Sequence, residues 1–383
     1  MTGHLAPAPL LPRSRRVPRG RLVLLAGGGL GLLAGLWTGL ARAGAHRPLG
    51  PVAEHGILMT LGFLGTLIAL ERAVALRASW GYLAPALSGA SVLWLLVGLP
   101  IAGAGLLLTA AGVLVTAVYA VTLHRQAAIH LVLMAVGALA WVVAALWTAG
   151  WSPARLAPML AAFLVLTIVG ERLELSRLRL PPRTARRRLL AAATLFTVGA
   201  VTTLVDRHAG LVVAGAGLLA QTAWLGRHDI ARVTIRRPGL PRFAAACMLT
   251  GYLWLAVSGL LWIALGLGVQ GPLLYDAALH ALFLGFVLSM VMGHAPIILP
   301  AVLRVALPYR RSAWLPLVLL HLSVALRIGA DLAGSTWARG WTVHGNMAAL
   351  LLFVAATAAT VVRARPPAPT PPRRERTDAL PIP

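Results

Sequence analysis

Lysine is absent from this chain of 383 residues, acidic residues number only 10, and there is a single cysteine. Each scarcity excludes something. With Cys247 alone, neither an intrachain disulfide nor a cysteine-based metal cluster can form. At 11% charged residues, against about 25% in soluble domains, the chain cannot cover a water-facing globule of its size. It also lacks a phosphate-binding glycine loop, a plausible Ser-His-Asp set and a metalloprotease helix. Whether it is an enzyme is left open.

What the chain has is apolar sequence: 59% hydrophobic residues and a mean hydropathy of +0.82. Apolar runs fall at about 22–41, 55–76, 82–100, 102–123, 127–148, 156–175, 188–205, 209–226, 243–266, 274–299, 313–333 and 342–362. A membrane-spanning helix needs roughly 20 such residues. The pattern predicts an all-α, polytopic integral membrane bundle of about 12 transmembrane helices. The third, fourth, seventh and eighth runs are its weakest members.

The formal net charge of +24 is carried by arginine and sits between the apolar runs. Alternate gaps hold Arg13, Arg15, Arg16, Arg19 and Arg21, then Arg77, Arg125, Arg177–Arg188, Arg227–Arg242, Arg304–Arg311 and Arg363–Arg376. The intervening gaps hold only Arg42, Arg47, Arg155, Arg207 and Arg339. That bias predicts cytoplasmic N- and C-termini in a multi-pass protein of the bacterial inner (plasma) membrane. It assigns the basic clusters to anionic lipid headgroups rather than to nucleic acid. The expected layout is a basic cytoplasmic segment 1–21, an uncleaved bundle 22–362 and a disordered Pro/Arg-rich cytoplasmic tail 363–383. The loop Arg177–Arg188 divides the bundle into halves 22–176 and 188–362. A faint echo, LIALER ending the second run and LTIVGER ending the sixth, suggests a repeat.

Ionisable groups in hydrocarbon cost several kcal/mol unless paired, hydrated or ligated, so the histidines within the runs are the functional candidates. On the predicted topology His55, His280 and His344 reach the outer leaflet at similar heights, a set able to hold haem iron or copper. Met59, one turn below His55, is a further soft donor but more often a space-filler. Strings HGILMTLGF and HALFLGF place a glycine near each of His55 and His280, which would let a planar group approach the backbone. Arg42 and Arg47 could neutralise haem propionates. Glu71, Arg72, Glu171 and His294 lie toward the inner leaflet as a candidate proton pathway. On α-helical geometry Glu71 lies about 160° around its helix from His55, while His294 lies on roughly the same face as His280. Pro296 and Pro300 are expected to kink or end the tenth helix.

On HGILMTLGF at His55, HALFLGF at His280 and MGHAP at His294, the chain resembles the NnrS family of twelve-span bacterial membrane proteins. The placement of histidines on the second and tenth helices is also similar to the catalytic subunit of haem–copper oxidases. The resemblance implies haem and copper binding and a link to nitric-oxide stress. The chain has no acid in His55-Gly-Ile-Leu-Met59, no His-x-His on the tenth run and no histidine on the sixth or seventh, so an oxidase-type copper site is missing. Reduction of oxygen or nitric oxide is not expected. The leading expectation is a haem- or copper-binding protein of electron transfer or nitrosative stress, with His55 and His280 as ligands and His344 a third. The rivals are a proton-coupled secondary transporter using Glu71, Glu171 and His294, and a structural subunit of a respiratory complex.

Overall fold

The computed structural model describes residues 18–44, 54–176, 182–305 and 307–363. Arg47, most of the basic N-terminal segment and the tail from residue 364 lie outside the described residues. The fold is all-helical. We number its long helices α1 (Arg19–Arg42), α2 (His55–Leu76), α3 (Leu83–Leu96), α4 (Ile101–Arg125), α5 (Ile129–Leu146), α6 (Pro153–Leu175), α7 (Arg183–Thr202), α8 (Arg207–His228), α9 (Leu240–Gly266), α10 (Leu274–Leu303), α11 (Trp314–Leu332) and α12 (Thr336–Arg363).

A helix therefore occupies each of the apolar runs, but among the described residues 10 rather than 12 helices are long and apolar enough to cross a membrane. The two that fall short are α3, with 14 residues, and α7, whose first turns carry Arg183 and Arg186–Arg188. Helix ends follow local chemistry. Asp206 caps α8, its carboxylate accepting from the Ala209 amide at 3.1 Å. Pro100, Pro182 and Gly239 stand immediately before α4, α7 and α9, where no intrahelical donor is lost.

Close approach is bought with small residues, as expected where lipid offers no hydrophobic drive between helices. On α1, Gly31, Gly35 and Gly39 recur every four residues on the face that receives α2. A Cβ at Gly31 would stand 2.8 Å from the Gly62 carbonyl carbon, so the two backbones touch. Met59 seats on Gly35, where a Cβ would meet its Cγ at 2.7 Å. This methionine fills space between helices.

Helix α6 is the axis of the bundle. Of its most apolar stretch 94% is buried, against 17% for α12, which lies at the periphery. Phe163 of α6 packs on Trp141 of α5 with ring centroids 4.9 Å apart. The same helix touches both α2 and α10 along their middles.

Those two middles are not α-helical. Leu58–Gly65 of α2 and Ala281–Leu288 of α10 wind as π-helix, eight residues each. The first begins three residues after His55 and the second directly after His280. Each is followed by a hydroxyl residue: Thr66 donates to the Gly62 carbonyl at 2.6 Å, and Ser289 to the Cys247 carbonyl of α9 at 2.6 Å. Ser88 of α3 supplies a further donor, 2.8 Å from the Leu61 carbonyl. The wide turns change the angular count along both helices, so the α-helical angles expected between His55 and Glu71, and between His280 and His294, do not apply. Of the two outcomes expected at Pro296 and Pro300, a kink or an end, the end is corrected: α10 runs through both and ends at Leu303.

Candidate functional site

Helices α2 and α10 each carry polar groups at both ends, and these gather into two clusters, one at either end of the bundle. At the first, His55 is half-buried with its ring against Gly39 of α1, where a Cβ would meet the imidazole Cε1 at 2.9 Å. Its Nδ1 lies 2.7 Å from the Gly35 carbonyl. A carbonyl can only accept, so Nδ1 carries the proton, and in the neutral ring Nε2 keeps its lone pair. His280 repeats the arrangement on its own helix. Its Nδ1 lies 2.8 Å from the Asp276 carbonyl and 3.2 Å from the Asp276 carboxylate. Among the described residues no hydrogen bond reaches Nε2 of either histidine.

A charged frame surrounds this pair. Asp276 accepts from Arg327 at 2.7 Å and faces Arg339 at 3.2 Å. Asp331, fully buried at its carboxylate, lies 3.7 Å from Arg327 and 3.5 Å from Arg339. The ring of acids and guanidinium groups joins α10, α11 and α12. Arg42, in the last turn of α1, is within electrostatic reach of His55, as are His280 and Arg327. Sequence reasoning found the histidines and Arg42 but missed Asp276, Arg327, Asp331 and Arg339. Their signal was present: four charges in a chain with few, all within nine residues of a helix end at the same face of the bundle.

His344 does not join the pair. It is exposed on α12, and its described hydrogen bond runs to its own helix at the Gly340 carbonyl, 2.8 Å away. Gly62 and Gly285, expected to admit a planar group, are occupied by helix packing against Val92 and Trp254. Among the described residues no group of three or more His, Cys, Asp or Glu is placed to hold a metal ion.

The second cluster lies at the opposite ends of α2 and α10. Arg172 of α6 grips Asp229 with two parallel bonds, Nε to Oδ2 at 2.7 Å and Nη2 to Oδ1 at 2.8 Å. Tyr252 of α9 donates to the same carboxylate at 2.9 Å, and the Ala231 amide at 2.6 Å. His294 joins through Nε2, 3.4 Å from Arg172 Nη1, while its Nδ1 is bound to the Met290 carbonyl at 2.7 Å. Beside this set, Arg72 Nη2 contacts Glu71 at 2.5 Å and Glu171 of α6 at 3.2 Å. The two Glu-Arg pairs that echo each other in the sequence thus meet in space, and the four expected residues Glu71, Arg72, Glu171 and His294 form one neighbourhood. Asp229 and Tyr252 were not anticipated.

The remaining buried histidines are committed elsewhere. His321 takes a hydrogen bond from Trp254 Nε1 at 2.8 Å on Nδ1 and meets Thr250 at 2.8 Å on Nε2. His130 Nε2 stands 3.8 Å from Glu174. Among the described histidines inside the bundle, His55 and His280 are thus the two whose Nε2 takes no hydrogen bond, and they lie within electrostatic reach of each other.

Residues 21–362 match the family described as a domain of unknown function (DUF8744). No curated protein and no solved structure matches the chain.

Proposed function

The chain belongs to the DUF8744 family, a domain of unknown function, and we propose that it is a membrane haem-binding protein in which His55 and His280 would hold the iron. The observation that carries this reading is the matched state of the two imidazoles. Each fixes Nδ1–H on a protein acceptor and presents a free Nε2 lone pair, which is how ligating histidines are oriented by their outer partners. Two such imidazoles suit haem iron, and a three-ligand copper site draws no support from His344. Iron held by the two histidines would supply reversible one-electron transfer, in line with the resemblance to the NnrS family and its link to nitric-oxide stress.

The protein's own residues do the positioning. Gly39 leaves room for the His55 ring, and the Gly35 carbonyl sets its tautomer. Asp276 does the same for His280 and is itself held by Arg327 and Arg339. Arg42, in the last turn of α1 and within electrostatic reach of His55, is suited to a haem propionate. The arginine bias between helices supports placing this pair toward the periplasm, the Glu71 end toward the cytoplasm, and both termini inside.

The test is an absorption spectrum of detergent-purified protein, oxidised and dithionite-reduced, with metal analysis on the same sample. A Soret band with sharp reduced α and β bands is expected, lost in His55→Ala and in His280→Ala. A featureless wild-type spectrum without stoichiometric iron would overturn the reading and favour proton-coupled transport.

A further inference from the structure

The two guanidinium groups of the Glu71 end differ in how they are matched. Arg172 is saturated: one carboxylate, two parallel bonds, with Tyr252 completing the acceptor. Arg72 is not. Two carboxylates, Glu71 and Glu171, converge on the same nitrogen, Nη2, while Nε is buried without a partner among the described residues. The three side chains are only 23%, 14% and 13% exposed for Glu71, Glu171 and Arg72. Two carboxylates on one guanidinium leave one negative charge over.

The groups facing them do not cancel it. Glu71 faces Arg72, Glu171 and the neutral-capable His294. Glu171 faces Arg72, Arg172 and Glu174, but Arg172 is already neutralised by Asp229. Glu174 adds a carboxylate, 43% exposed and 3.8 Å from His130. Both acids also lie near the C-terminal ends of their helices, where the backbone dipole disfavours an anion. An uncompensated charge held out of water is strongly disfavoured.

An independent observation points to what restores balance. The hydroxyl of Tyr119, on α4, is buried with the side chain 1% exposed and no hydrogen-bond partner among the described residues. It interacts electrostatically with Arg72, Glu171, Glu71 and Glu174, which places it beside the cluster. A phenol can donate to a carboxylate or accept from a carboxylic acid.

We propose that Glu71 and Glu171 together bind one exchangeable proton, taken up by one of the two carboxylates that converge on Arg72, beside the Tyr119 hydroxyl. The step is a proton from bulk water adding to one carboxylate, giving a neutral acid beside a carboxylate–guanidinium pair. The site stands independently of haem at the other end of the bundle.

Full-length protein in liposomes is cycled in pH while infrared difference spectra follow the carboxylic C=O stretch, using His55→Ala protein so that haem propionates contribute nothing. One protonated-carboxyl band, shifted by heavy water, is expected. Glu71→Gln and Glu171→Gln each remove it, and Tyr119→Phe, a conservative change, moves its frequency. A wild-type-like band that survives in both glutamine variants, or no band before either substitution, overturns the proposal. Because the parent protein carries both glutamates, a misfolded variant cannot hide the second of these results.

Discussion

His55 owes its orientation to two glycines, and this gives the site a sharp mutational signature. Gly39→Val adds bulk where even a Cβ would meet the imidazole at 2.9 Å. The expected outcome is loss of the haem spectrum with the helical circular dichroism retained, at an overpacking cost of about 1–3 kcal/mol. Asp276→Asn keeps the backbone acceptor of His280 but removes the charge that Arg327 and Arg339 surround. Loss of such an outer partner lowers cofactor affinity about 10–100-fold, readable by haem titration. At the other end, Asp229→Ala strands Arg172 in the interior, and breaking a buried pair costs about 3–5 kcal/mol. Denaturant unfolding in detergent should show Asp229→Ala to be far more harmful than the double change Arg172→Leu with Asp229→Leu. At this scale the sequence announced the ionisable residues, since any charge in a long apolar run stands out. It did not announce pairing: Asp229 lies between helices and Tyr252 reads as ordinary core, and only the fold brings both to Arg172, through the one Asp229 carboxylate.

The helices themselves were legible, with ends displaced by as much as six residues in α12, because apolar runs and Gly/Pro punctuation mark roughly where a span begins and ends. The π segments were not. LMTLGFLG and ALFLGFVL are uniformly apolar, and nothing in their composition separates a wide turn from an α-turn. Their cause is tertiary: donors such as Ser88 and the contact with Gly31 reward a backbone path that α geometry would miss. Ser88→Ala removes the hydroxyl that serves both Leu61 and Thr66. Leaving those buried groups unmet costs about 1–3 kcal/mol. A drop in thermal stability of detergent-solubilised protein, without change in helix content, is the expected result. Helices α3 and α7 fell short as spans for separate reasons, one too short and the other opening with arginines. Both were among the weak members on sequence grounds.

For the whole molecule the chain offers a convenient handle, since its one cysteine is buried. Replacing Cys247 with alanine gives a background for cysteines placed at Ser335, between α11 and α12, and at Arg237, before α9. On the proposed orientation an impermeant maleimide labels Ser335→Cys on intact cells and reaches Arg237→Cys only after lysis. The reverse pattern would invert the protein in the membrane and exchange the faces assigned to the two clusters.

The position of the Glu71–Glu171 pair carries a consequence for energetics under voltage. Glu71 stands five residues from the end of α2, about 8 Å along the axis, and sixteen residues, eight of them in the π segment, from His55. A proton arriving from the nearer face crosses little of the transmembrane field, so its binding is nearly independent of membrane potential. One arriving from the His55 side crosses most of it, at about 2.3 kcal/mol per 100 mV for the full span. The dependence of site occupancy on applied potential therefore reports which face of the bilayer the pair is wired to.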